Sequence, residues 1–276
     1  MNLSQVSPLK MFSQPLQYLV PIFQRGYVWS IDKKQVTTLW SDIADRAEQV
    51  ARYHELLEQA KKNGSAHMVS KPRRHFLGTV IVTEHQSGEA GAPYTSEVID
   101  GQQRLTTTQL LALAFRHAIV GSDDPFERRR LDVYTHNGEA YRLKHHSYKL
   151  WPTNAGHKEM ESIAGASSFE QVCEQFPVRT VGKGKAKKLI QRPLMVEAYL
   201  YFYGVISIYL RGQDPSEKLD DGDDPFADLN ELIGIETDDT WATRWTHSIR
   251  TENAPVVPFA DLPIQATRIQ LLLTTL

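Results

Sequence analysis

The run Asp100-Gly101-Gln102-Gln103-Arg104-Leu105-Thr106-Thr107-Thr108 constrains this chain more than any other, because it stands where an apolar strand, Glu97-Val98-Ile99, gives way to a helix. The first backbone N–H groups of a helix have no internal partner and carry the positive end of its dipole. An anion placed there satisfies both. Gly101 lets the backbone approach closely. Asp100, at the strand end, is placed to hold a divalent cation, and Arg104 offers a planar fork of donors for two phosphate oxygens. Together these residues point to a nucleotide site.

Such a turn needs a core behind it. The chain has 276 residues and is 41% hydrophobic, enough for one large domain or one domain with an appendage. Its formal net charge of -2, from 31 basic and 33 acidic residues, excludes a uniformly basic nucleic-acid coat but allows local basic patches. The single cysteine, Cys173, forms neither an internal disulfide nor a cysteine-based zinc site, and it reads as a packing residue in a reducing compartment. The opening Met1-Asn2-Leu3-Ser4-Gln5 has neither the positive start nor the apolar run of a signal peptide. The longest apolar stretch, 198–210, is shorter than the roughly 20 residues a bilayer-spanning helix needs. It also carries four tyrosines, so it reads as a core helix. A cytoplasmic protein with no membrane partner is expected.

Hydrophobic spacing lays out the rest. Val36, Leu39, Trp40 and Ile43 recur at helical spacing, predicting a long helix over 30–60 with Ser30 or Asp32 as its cap. Pro21 and Gly26 make the preceding residues 18–29 extended chain or loop. Residues 61–74 form a polar, basic connector. A hairpin rich in β-branched residues follows, over 76–83 and 94–100, and after the glycine turn a largely apolar helix runs over 106–120. Beyond 126 the pattern breaks into short pieces until Pro193, which suits the first turn of a helix with little polar face. Residues 214–228 read as an acidic loop, and 264–276 as a last patterned segment.

Two segments together resemble the N-terminal domain of the GmrSD type IV restriction endonucleases: Val20-Pro21-Ile22-Phe23-Gln24-Arg25-Gly26-Tyr27-Val28-Trp29, and the run from Val98 through Asp100-Gly101-Gln102-Gln103-Arg104 to Thr107. Leu39-Trp40-Ser41-Asp42-Ile43, Phe76-Leu77-Gly78 and Leu150-Trp151-Pro152-Thr153-Asn154 echo the same family. The resemblance covers roughly the first 155 residues well and the later part loosely. It implies an α+β fold: a ParB/sulfiredoxin-like nucleotide-binding domain over 1–125, then a mainly helical region over 126–276. It also implies nucleoside triphosphate hydrolysis coupled to restriction of foreign DNA with modified bases or backbone.

On that resemblance, Phe23, Gln24, Arg25, Gly101, Arg104, Thr106 and Thr107 are the expected nucleotide-binding residues, and Asp100, Gln102, Gln103 and Arg104 the expected catalytic ones. Asp100 would position Mg²⁺, Gln102 or Gln103 would orient the attacking water, and Arg25 would stabilise charge on the outer phosphate. Tyr27 and Trp29 are candidates for ring stacking. The residues after Gly101 and Arg104 would bind phosphate through backbone amides and guanidinium.

The departure from the family matters as much. An HNH nuclease needs a compact histidine and asparagine constellation. His145-His146 and Asn154-Ala155-Gly156-His157 lack a second half, and past residue 246 only His247 remains. A separate HNH nuclease partner is therefore expected, and DNA cleavage by this chain is not. The run Val181-Gly182-Lys183-Gly184-Lys185-Ala186-Lys187-Lys188 lacks the Ser or Thr and the glycine spacing of a P-loop, so it reads as a basic loop. Its Lys183 and Lys185, with Arg73 and Arg74, are the candidates for DNA-backbone contact. The acidic run 220–224 lacks the ligand spacing of a calcium loop, and His136, His145, His146 and His157 have no metal-ligand spacing. The competing reading is a non-enzymatic module that grips DNA or a partner through the same fold.

Overall fold

The computed structural model describes residues 4–72, 75–85, 90–119, 125–138, 141, 143–153, 155–177, 179–182, 188–210 and 266–276. Arg73, Arg74, Lys183 and Lys185, the acidic stretch 214–228, Asn154 and His247 lie outside them.

A four-stranded mixed sheet carries the architecture, in the order β2-β3-β1-β4. β1 (Leu16–Val20) runs parallel to both β3 (Tyr94–Asp100) and β4 (Leu150–Pro152), and β2 (Ile81–His85) pairs antiparallel with β3 on its other side. In β3 Ser96 and Val98 are buried on one face, and Tyr94, Ile99 and Asp100 are exposed where the two ends of the strand leave the core. The β2 register shifts between Ile81, opposite Asp100, and Val82, opposite Val98, so the chain entering β2 bends at the end of β3. The expected hairpin is therefore present, with β2 shorter than its β-branched run suggested.

After a short first helix, α1 (Pro8–Met11), α2 runs from Gln35 to Lys62. It starts later than the capping residues predicted. Ser30 accepts from Lys33 N–H at 3.2 Å, and its own N–H donates to Gln35 Oε1, so Ser30 organises a turn ahead of the helix. Val36, Trp40, Ile43 and Ala47 are the inward face of α2.

α3 (Gln102–Ala118) begins immediately after β3, four residues earlier than expected, and is buried on nearly every side. Its main partner is α7 (Leu194–Leu210), equally buried, and the two form the centre of the core. A buried polar tie joins them: His117 bonds the Tyr199 hydroxyl through Nδ1 at 2.6 Å and Ala166 O through Nε2 at 3.1 Å. α4 (Pro125–Thr135), α5 (His157–Gly165) and α6 (Phe169–Gln175) pack around α3, and a hairpin of β5 (Arg179–Val181) and β6 (Lys188–Ile190) brackets the basic run. α8 (Ala266–Thr275) lies on α2, with Arg268 pairing Glu48 at 3.1 Å and stacking over the Tyr209 ring.

One cluster of buried side chains extends from Leu9 to Leu276. The fold is α+β, and its sheet draws on both sides of residue 125, since β4 comes from beyond it. Because β1, β3 and β4 are parallel, their carboxyl ends share one edge of the sheet, where ligands of open α/β sheets bind. Among the described residues no helix is long and apolar enough to cross a membrane.

Candidate functional site

Three segments meet at that edge. β3 ends at Asp100, the chain turns through Gly101, and α3 starts at Gln102. Gly101 sits at φ +88°, and a Cβ there would come within 2.8 Å of Thr79 O and 3.0 Å of Val80 Cα, so the position admits only glycine without strain. No side chain caps α3, so its first N–H groups have no capping partner. The two glutamines that follow face inward, at 7% and 8% exposure.

Those glutamines bind the segment 21–29 that leaves β1. Gln103 Oε1 accepts from Val28 N–H at 2.9 Å, and its Nε2 donates to Gly26 O at 3.1 Å, matching a peptide-like pair of groups with a side-chain amide. Gln102 Nε2 donates to Arg25 O, and its Oε1 is buried without a protein partner. Gln24 returns the contact by donating from Nε2 to Ile99 O at 2.9 Å, one residue before Asp100. Tyr27 completes the fastening: its hydroxyl bonds Thr107 Oγ1 at 2.9 Å, and Thr107 Oγ1 donates to Gln103 O at 2.7 Å. Burial holds the Tyr27 phenol well above the ordinary tyrosine range, so it stays neutral.

The expected site residues therefore divide. Phe23 is 73% exposed, and Arg25, Asp100 and part of Arg104 also face solvent beside the open helix start. Thr106 and Thr107 are buried, and the Thr107 hydroxyl is committed to Tyr27 and Gln103. Gln103 likewise has both amide atoms engaged by backbone. Tyr27 and Trp29 are half-buried against the core, leaving Phe23 as the ring in this segment open to stacking. Asp100 stands 3.9 Å from Arg104 Nη2, a long and exposed pair.

A contribution the sequence pattern did not assign comes from residues 78–80. Arg104 Nη2 donates to Thr79 O at 2.7 Å and lies across Gly78. Phe76-Leu77-Gly78 was legible only as an echo of a family; the glycine was the usable signal, marking a close backbone approach.

No group of three or more His, Cys, Asp or Glu side chains able to hold a metal occurs among the described residues. Any Mg²⁺ at this turn would take Asp100 and complete its shell with phosphate oxygens and water, which is how nucleotide-bound Mg²⁺ is commonly held. The single outward carboxylate fits that arrangement. The four candidate DNA-contacting residues, Arg73, Arg74, Lys183 and Lys185, lie outside the described residues.

No curated protein sequence matches this chain. The family model for the N-terminal domain of the GmrSD restriction endonuclease matches residues 9–241, well beyond the first 155 residues that carried the resemblance. The match takes in both halves of the turn just described, the segment after β1 and the start of α3, and most of the chain around them: this protein belongs to the GmrSD restriction endonuclease N-terminal domain family.

Proposed function

We propose that this chain is the nucleoside triphosphate-binding and hydrolysing sensor of a type IV restriction system that acts on modified DNA, and that a separate HNH nuclease subunit cuts. The observation that carries the reading is the uncapped start of α3 behind Gly101, with Arg104, Asp100 and Arg25 around it on the carboxyl edge of the parallel strands. Phosphate oxygens satisfy the open α3 amides and the part of the Arg104 fork that Thr79 does not use. Phe23 offers a face for the base, and Arg25 offsets charge on the outer phosphate. Mg²⁺, held on Asp100, supplies further compensation of phosphate charge when bound. Gln102 keeps a free acceptor, Oε1, and so is the glutamine able to orient the attacking water.

The test is phosphate release from ATP and GTP with Mg²⁺, with and without modified DNA, by wild type and Arg104→Ala. Wild type should turn over and the variant should lose binding and turnover while melting as a folded protein. A folded Arg104→Ala protein with full nucleotide binding and hydrolysis would refute the assignment.

A second reading, a non-enzymatic module that grips DNA or a partner, draws support from Gln103 and Thr107, which spend their polar groups on holding the fold. It predicts no turnover of any nucleoside triphosphate, with or without modified DNA. On either reading the purified chain leaves DNA uncut.

A further inference from the structure

We infer that Gly78 and Thr79 form a third part of the site, whose task is to position the Arg104 guanidinium. Arg104 is the third residue of α3 and the part-exposed side chain of an otherwise buried first turn, where a long side chain with water on one side would ordinarily sample several rotamers. Here it does not extend outward. Its Nη2 donates to Thr79 O at 2.7 Å, and its stem and head cross directly over Gly78.

The fit leaves no room for a side chain at 78 unless Arg104 moves. A Cβ on Gly78 would stand 2.8 Å from Arg104 Nε, 2.9 Å from Cδ and 3.1 Å from Cζ. Gly78 also sits at φ +114°, which L side chains rarely adopt. That backbone turns the Thr79 carbonyl toward the guanidinium. The same short stretch passes beneath the glycine turn, with Thr79 O and Val80 Cα against Gly101. One strand entry therefore sets the place of both the turn and the cation beside it.

The geometry has a chemical consequence. With Nη2 held by a carbonyl, a neutral acceptor, and the Asp100 carboxylate a long and exposed 3.9 Å away, the guanidinium keeps most of its charge for an anion while losing rotational freedom. A cation fixed before the anion arrives costs less entropy at binding. Gly78 and Thr79 are positioning residues, acting through Arg104, and the nucleotide consequence rests on the function proposed above.

The experiment uses the full chain and a double-mutant cycle of Gly78→Ala, Arg104→Ala and both together, read by urea denaturation, with Mg·ATP and Mg·GTP binding to wild type and Gly78→Ala read by calorimetry. Gly78→Ala should destabilise wild type, and the loss should shrink by roughly half or more in the Arg104→Ala background, where only the cost of positive φ remains. Nucleotide affinity of folded Gly78→Ala should fall about tenfold, the scale of one charge-assisted contact. Equal destabilisation in the two backgrounds would overturn the inference. So would a folded Gly78→Ala protein that binds either nucleotide as wild type does. If wild type binds neither nucleotide, the proposed function falls, and the cycle alone still decides whether Gly78 positions Arg104.

Discussion

Gln103 offers the sharpest separation of architecture from chemistry. Its side chain is 8% exposed and bridges Val28 N–H at 2.9 Å and Gly26 O at 3.1 Å. Gln103→Ala removes both bonds at once and strands a backbone donor and a backbone acceptor. Each half-buried group regains some water, so the cost of each is about 1 kcal/mol, near the low end for an unmade buried bond. The lost Cγ adds about 0.8 kcal/mol of apolar burial. The sum is roughly 3 kcal/mol, which in a chain of this size lowers the melting temperature by about 6–12 °C. Circular dichroism through a urea series gives the free energy, and a thermal scan gives the midpoint. Gln103→Glu is an informative companion. It keeps an acceptor for Val28 N–H but turns a carboxylate oxygen toward the Gly26 carbonyl, so it should be no more stable than the alanine variant. The reasoning fails if Gln103→Ala melts within about 1 °C of wild type. If that stable variant also loses phosphate release, Gln103 acts on the reaction and not on the fold.

Three other outcomes follow from the same geometry. Gly101→Ala, which drives a Cβ to 2.8 Å from Thr79 O, should cost about 2–4 kcal/mol; Gly64→Ala, at φ +69° with nothing within 4 Å, should cost only about 1 kcal/mol; comparable losses in urea denaturation would contradict the contact argument. Tyr27→Phe should lose about 1 kcal/mol with its bond to Thr107, and a double mutant with Thr107→Val should cost less than the two singles added. Burial lowers the Lys149 ammonium to about 8, where its Nζ donates to Gln14 O. Between pH 8 and about 10.4 the unfolded chain then binds more protons than the folded one, so this group's contribution to stability rises with pH. Relative to Lys149→Met, wild type should gain about 2 kcal/mol from pH 7 to 9.5; a pH-independent difference would rule out a buried, shifted lysine.

Elements whose signal is local were readable in the sequence. β-branched runs marked the hairpin, and Pro193 with a nearly all-apolar run marked α7. The start of α3 was misplaced because Gln102, Gln103 and Arg104 look like loop residues until their partners are known, and those partners lie 77 residues away at Arg25 and Gly26 and 25 away at Thr79. No periodicity encodes such pairings. Ser30 shows the same effect on a smaller scale: it suits a helix cap, yet it closes a turn because Gln35 accepts its N–H. β4 was missed for a different reason, since three residues are too few to alternate.

The turn itself shows why a motif match says less about chemistry than its residues suggest. Of the residues in the two matching segments, Gln103, Thr107 and Tyr27 satisfy one another or nearby backbone, and changing any of them would disturb the fold whatever the protein binds. Phe23, Arg25, Asp100 and part of Arg104 instead face solvent beside an uncapped helix start. Arg104 is the decisive case, because it belongs to both groups: one donor is spent on Thr79 and Nε is buried, while part of the side chain still faces solvent. Substitutions that leave Thr79 and Gly78 untouched but remove the outward groups, Arg25→Ala and Asp100→Asn, should therefore keep the melting temperature within about 2 °C of wild type. Their effect should fall on nucleotide binding. A loss of stability without a loss of binding would make the outward half of the motif structural as well, and would remove the physical basis for a nucleotide at this turn.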